Sequence, residues 1–298
     1  MKPITSFGIV AFKKSKKVLS ALDRILKWSN KSGVPVFFHP ALASYVPKSA
    51  CVCANEEELL VKSEALVSVG GDGTFLATVH LSHFSGKPVI GVNMGGIGFL
   101  TDIGPENLEA DLEKMSKGQY RTTMRMLLDA RILRAGSEIK AMRALNDIFI
   151  NRFDQPKLVS IKAWCGDQFI TEFVSDGLIV ASPSGSTAYS LSAGGPIVDP
   201  AVKAFLLTPI CPHSLTERPL LLPCDKQLRL VAGGKNADVM MSADGIDNMR
   251  LKKDDEVVVS YCGDQTNLLQ LSERSHFDLL RSKLGWGKDL KAGERPDE

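Results

Sequence analysis

Apolar and polar positions fall in alternating blocks along the first third of the chain. Residues 7–12, Phe-Gly-Ile-Val-Ala-Phe, form a compact apolar run of buried-strand length. Lys16–Ser32 carries Val18, Leu19, Leu22, Ile25 and Leu26 at helical spacing, and Gly33 marks the end. Residues 34–38 predict a second strand, with Pro35 at its start or on an edge. A short helix over Glu56–Lys62 leads to a third strand at residues 65–69. A helix over 74–83 and a fourth strand over 88–92 follow. Residues 105–117 predict an amphipathic helix with Pro105 near its first turn and Gly118 just beyond its end. Strands followed in turn by helices predict right-handed crossovers and a largely parallel sheet.

The texture changes after Arg121. Residues 127–133, 158–164, 169–174, 228–231 and 257–261 read as strands separated by turn residues, and Cys165-Gly-Asp-Gln168 reads as a tight hairpin connection. Long helical periodicity returns only at residues 275–284. The expectation is an α/β domain over residues 1–120 and a β-rich domain over 121–272. A closing helix and tail over 273–298 pack back on the first domain, and the charged tail from Lys288 to Glu298 frays.

Composition narrows the function. In 298 residues, 44% hydrophobic and 23% charged content is that of a soluble globular protein. A net charge of +2 does not argue for nucleic acid, and the basic run Lys13-Lys-Ser-Lys-Lys17 has no interleaved aromatics. No apolar run reaches membrane-spanning length and the N-terminus lacks a signal-peptide pattern, so a cytoplasmic protein without a membrane partner is expected. Cys51, Cys53, Cys165, Cys211, Cys224 and Cys262 form no C-x-x-C pair and read as reduced thiols. His80 and His83 sit at helical spacing without a third ligand, so no metal site is assigned to them.

The chemistry is concentrated in a few turns. Gly70-Gly-Asp-Gly-Thr74 lies at a strand-to-helix junction, where open α/β sheets bind ligands. Glycines there let the backbone approach a phosphate, and the helix start offers free N–H groups. Asp72 reads either as a helix N-cap or as a chemically active carboxylate, one that accepts a proton from an attacking hydroxyl or helps to hold magnesium. A second glycine turn, residues 93–100, lacks dinucleotide-fingerprint spacing; it is a wall of a pocket opposite Asp72 or a structural bend. Asn146-Asp147 and Asp176 stand at the mouths of apolar strands, as ribose or adenine partners or as turn formers. Beyond the buried strand Leu178-Ile-Val-Ala181, the run to Pro196 offers hydroxyls and N–H groups suited to a phosphorylated, polyhydroxylated ligand. Its interruption by Ala188, Tyr189 and Leu191 argues against a linker.

Taken together, Gly70-Gly-Asp-Gly73, Asn146-Asp147 and residues 175–196 resemble the motif set of bacterial NAD kinases. The likeness continues through Pro212-His-Ser-Leu215, Arg218-Pro219 and Lys283-Leu-Gly-Trp286. The resemblance implies an α/β domain, a β-sandwich-like domain, and a homo-oligomer (dimer or tetramer) with active sites between domains and subunits. It also implies transfer of the terminal phosphoryl group of ATP, with a divalent ion such as Mg2+, to the 2′-hydroxyl of NAD's adenosine ribose. Asp72 then matches the proton acceptor. Asp72, Gly73, Asn146, Asp147, Lys157, Asp176, Thr187, Ala188, Tyr189, Ser190, Leu191 and Ser192 match NAD-binding positions, while Gly70, Gly71, Gly73 and Thr74 face the phosphates. Asp147 replaces a frequent glutamate, Lys157 falls where relatives vary, Val174 stands where some relatives have arginine, and Ile246 replaces a frequent glutamine. The competing readings are a lipid kinase sharing the glycine-aspartate turn and a non-catalytic NAD or NADP sensor. The polar nucleotide contacts disfavour the first, and the presence of Asp72 disfavours the second.

Overall fold

The computed structural model describes residues 1–83, 86–96, 98–153, 157–233, 239–261, 263 and 265–286. Ile97 of the second glycine turn, Cys262, the tail from Lys288 to Glu298 and the His83 side chain lie outside the described residues. The chain divides into two units, residues 1–123 with the segment from Leu268 on, and Met124–Asn267.

The first unit runs β1 (Phe7–Val10), α1 (Lys16–Ser32), β2 (Val36–Phe38), α2 (Glu56–Lys62), β3 (Ala65–Gly70), α3 (Asp72–His83), β4 (Val89–Asn93), α4 (Leu108–Ser116) and β5 (Arg121–Met126). β1 pairs in parallel with β2 and β3, and β3 with β4. α1 forms where expected: Ser15 caps Val18 N–H, and Val18, Leu22, Ile25 and Trp28 turn into the core. α4 starts three residues after Pro105, later than its periodicity predicts. The Arg24 guanidinium donates to the Pro105 and Glu106 carbonyls, in the stretch ahead of the helix. α3 instead starts two residues early, at Asp72.

The second unit is built from strands: β6 (Leu128–Arg134), β7 (Ser137–Ala144), β8 (Asp147–Arg152), β9 (Val159–Cys165), β10 (Gln168–Ser175) and β11 (Gly177–Ala181). The short helix α5 (Tyr189–Ser192) follows, then β12 (Ala204–Ile210), β13 (Leu220–Pro223), β14 (Leu228–Gly233), β15 (Val239–Ala243), β16 (Asp247–Leu251) and β17 (Glu256–Ser260). They form two six-stranded sheets, ordered β10-β9-β14-β17-β6-β7 and β13-β12-β11-β8-β15-β16. One apolar cluster joins Ile132, Ile161, Leu230 and Val257 of the first to Ile150, Leu178, Phe205 and Met241 of the second, which makes the unit a sandwich. On the outer face of β11, Ile179 and Ala181 pack with Val198 and Leu206. β11 is therefore buried on both faces, which explains its unbroken apolar sequence.

The chain returns to the first unit through β18 (Gln265–Gln270), which runs parallel to β4 and completes the order β2-β1-β3-β4-β18-β5. The last helix, α6 (His276–Leu284), begins with a Ser275–Asp278 capping box. The expected class, an α/β part with a largely parallel sheet, a β-rich part and a C-terminal helix, is the one observed. No helix among the described residues is long and apolar enough to cross a membrane.

Candidate functional site

β3 ends and α3 begins at the first glycine turn, so Asp72 is the first residue of a helix at the carboxyl end of a parallel strand. Its carboxylate does not cap its own helix. One oxygen accepts from Phe99 N–H at 3.1 Å, and the other from Leu100 N–H and the Thr101 hydroxyl, both at 3.4 Å. Asn93 donates its amide to Thr101 at 2.8 Å and accepts from Gly95 N–H at 2.9 Å, while Met94 N–H donates to the Gly70 carbonyl at 2.8 Å. The two glycine turns are thus tied together, with a half-buried carboxylate at the join. Thr74, two residues on in the same helix, is buried. Gly98 is required here, because a Cβ would stand 2.0 Å from the Asp72 carboxylate. A Cβ on Gly71 or Gly73 would meet nothing within 4 Å, so these two leave open space beside Asp72.

In the second unit Asn146 and Asp147 enter β8 almost fully buried. The N–H groups of Leu145, Asn146 and Asp147 all donate to the Asp244 carboxylate, at 2.8, 2.8 and 3.0 Å. Burial, with the Asp244 charge adding to it, pushes the Asp147 carboxyl up to about 7. The Asn146 side-chain oxygen is buried without a hydrogen-bond partner. Its backbone carbonyl accepts from Ser182 N–H at 2.8 Å, and Gly185 lies so close that a Cβ would meet that carbonyl oxygen at 2.1 Å. The serine-rich run is therefore packed directly on the Asn146 turn.

Many of its hydroxyls are already in use. Ser182 donates to the Leu145 carbonyl, Ser186 bridges Pro183 and Val198, and the fully buried Ser190 pairs with Thr208 at 2.9 Å. Thr187 and Ala188 are half-buried. Tyr189 stands exposed with its ring edge-on to Phe149, beside half-buried Leu191 and exposed Ser192.

Asp176 lies elsewhere. β8 and β11 run antiparallel, with Ala181 opposite Asp147 and Gly177 opposite Asn151, so Asp176 is a full strand length from the Asn146 turn. At about 3.3 Å per residue that is roughly 17–20 Å. Asp176 pairs there with Arg152 at 3.1 Å. Exposed Lys157 precedes the β9 end that faces Ser175, and Val174, 38% exposed, points outward rather than into the core.

Comparison with known proteins decides the family. Residues 7–120 match the ATP-NAD kinase N-terminal domain and residues 145–271 the ATP-NAD kinase C-terminal domain. The NAD kinase of Caldanaerobacter subterraneus subsp. tengcongensis is 41% identical over 277 residues, covering 93% of this chain and 98% of that protein. The chain belongs to the ATP-NAD kinase family. Another member, the NAD kinase of Geotalea daltonii, is 33% identical over 97% of this chain and 100% of that protein. Yeast NADH kinase, solved in complex with NADH, matches with a TM-score of 0.88 at 27% identity, over 99% of this chain and 90% of that one.

Within this ATP-NAD kinase family member, sequence reasoning passes over Asp244, Arg152 and Thr101. Asp244 opens the β15–β16 hairpin as an Asp-Gly pair, a turn signal that says nothing of its hold on residues 145–147. Arg152, the partner of Asp176, carries no local signal at all. The turn at 93–100 is expected opposite Asp72 and lies there, but that Phe99 and Leu100 N–H, with the Thr101 hydroxyl just beyond, hold the carboxylate is visible only in the fold.

Proposed function

We propose that this chain is an NAD kinase, an enzyme that moves the terminal phosphoryl group of ATP to the 2′-hydroxyl of NAD's adenosine ribose, giving NADP and ADP. The observation that carries the reading is the Asp72 carboxylate, held by Phe99, Leu100 and Thr101 at a strand-to-helix turn and flanked by glycines with open space. Gly70, Gly71, Gly73 and Thr74 would line the phosphates, where backbone N–H groups at the start of α3 favour negative charge. The 2′-oxygen attacks the γ-phosphorus in line, the bond from that phosphorus to the β,γ-bridging oxygen breaks, and ADP leaves with the electron pair. Asp72 orients the hydroxyl and takes its proton.

Asn146 brings an orphaned amide oxygen that suits an adenine amino group or a ribose hydroxyl. Asp147, Thr187, Ala188, Tyr189, Ser190, Leu191 and Ser192 complete this half of the site in the proposal. With the Ser190 hydroxyl engaged by Thr208, its contribution is the placing of its neighbours. Asp176, with Lys157 nearby, would act on NAD from the far end of the sheet, in a homo-oligomer, in the cytoplasm.

Among the described residues no three His, Cys, Asp or Glu side chains converge on a metal position. A magnesium ion carried by ATP would take phosphate oxygens and water as ligands, with at most one carboxylate, here Asp72. Such an ion supplies charge neutralisation at the phosphates.

The test is a coupled assay for NADP formation with donor (ATP, polyphosphate) and acceptor (NAD, NADH) varied. Asp72→Asn should lower turnover at least about 10²-fold while changing NAD affinity much less. Near-normal turnover in the folded variant would remove Asp72 from the chemistry.

A further inference from the structure

The hairpin between β15 and β16 turns through Asp244, Gly245 and Ile246, and Asp244 takes a φ of +52°. A positive φ is strained for most side chains, but glycine, asparagine and aspartate all tolerate it before Gly245, so the turn alone does not single out aspartate. The side chain does. The last rung between β15 and β8 joins Ala243 to Ile148, which leaves the N–H groups of residues 145–147 beyond the end of that ladder. The Asp244 carboxylate takes all three, one oxygen bonding Asn146 and Asp147 and the other Leu145. Its own N–H returns a bond to the Asp147 carbonyl at 2.9 Å. Four hydrogen bonds, three of them to an ionised acceptor, therefore fix the backbone of a segment whose side chains are almost fully buried.

From this geometry we propose that Asp244 is a positioning residue for the dinucleotide, setting the direction in which the Asn146 amide and the Asp147 carboxyl meet NAD. It touches no reacting atom and acts through the 145–147 backbone. The proposal rests on the reading that Asn146 and Asp147 contact NAD. Asn151, farther along β8, has ladder partners on both sides and needs no such support. The residues at the mouth of the strand are the ones without it.

The experiment uses the full-length enzyme and three variants, with Michaelis constants for NAD and ATP, kcat and melting temperature measured for each. Asp244→Gly deletes the carboxylate and suits the positive φ. Asp244→Asn also tolerates that φ and keeps one acceptor oxygen for Asn146 and Asp147. Asn146→Ala tests the underlying reading. The expected result is a KM for NAD raised at least about tenfold in Asp244→Gly and less in Asp244→Asn, with the KM for ATP within about twofold of normal. Asn146→Ala should raise the KM for NAD as well. If Asn146→Ala does so and the Asp244 variants melt normally with an unchanged KM for NAD, the positioning role is overturned and the site reading stands. Equal weakening of NAD and ATP would also overturn it, since a merely structural defect has no reason to select one substrate. An Asn146→Ala enzyme with an ordinary KM for NAD overturns both. Should Asp244→Gly fail to fold, Asp244→Asn decides by the same criteria.

Discussion

Asp147 carries a burial cost that can be measured. Its carboxyl is shielded from water and faces the Asp244 charge, which pushes its pKa from the ordinary carboxylate range up to about 7. The folded protein thus holds a proton that the unfolded chain has already released between about pH 4 and 7. The stability linked to that proton is fully present below the unfolded pKa and is lost as pH rises through 7. Each tenfold change in proton affinity corresponds to about 1.4 kcal/mol, so the loss across this window is on the order of a few kcal/mol. Asp147→Asn has no proton to lose. Denaturant melts at pH 5 and pH 8 should show the variant gaining relative to the parent as pH rises; an identical pH slope for both would mean that Asp147 ionises freely in the folded state.

At the scale of elements, the glycines around Asp72 separate into two kinds that a sequence cannot distinguish. Gly98 is filled from within, since any Cβ would collide with the Asp72 carboxylate and with the Thr101 hydroxyl at 2.3 Å. Gly71 faces open space. Gly98→Ala should displace the carboxylate and lower kcat, whereas Gly71→Ala should leave the melting temperature unchanged and raise the KM for ATP, because the added methyl occupies room proposed for phosphate. A Gly71→Ala enzyme with normal ATP kinetics would move the phosphates away from this turn. Legibility follows the same division. The strand-turn-helix at 65–83 is readable because an apolar run, three glycines and a helical pattern stand in order. The turn at 93–100 could be set opposite Asp72 from the sequence, but the hold itself could not, because backbone N–H donors carry no side-chain signature and the β3–β4 pairing selects those of Phe99 and Leu100. β7 escapes for another reason: Ser-Glu-Ile-Lys-Ala-Met-Arg-Ala lies at the edge of its sheet with its first half mostly exposed, and only Met142 and Ala144 reach the core, too few to show an alternating pattern. β12 is an apolar run and β18, Gln-Thr-Asn-Leu-Leu-Gln, is mostly polar; the role of each as a sheet member depends on distant partners.

At the scale of the whole molecule, the position of Asp176 bears on assembly. The adenosine half of a dinucleotide is about 10 Å long, while Asp176 and the Asn146 turn are separated by roughly 17–20 Å of strand. One copy of the second unit therefore does not bring both groups to the same adenosine. In a closed symmetric oligomer, the Asp176 end of one copy can meet the Asn146 end of another, and each site then borrows a carboxylate. This arrangement makes a prediction that a self-contained site does not. Asp72→Asn lacks the base, and Asp176→Ala should raise the KM for NAD, so each alone is weak when NAD is subsaturating. If Asp176 acts in a neighbour's site, a mixed assembly combines the intact Asp72 of one subunit with the intact Asp176 of the other. Random pairing in a dimer makes half of the dimers mixed, each with one complete site of two, giving about a quarter of normal activity. If Asp176 serves its own copy, no mixed assembly contains a complete site and activity stays at the mean of the two parents. Co-refolding equimolar variants and assaying NADP formation at low NAD separates the two cases. A parallel melt of Asp176→Ala shows whether losing the Arg152 partner has cost stability instead.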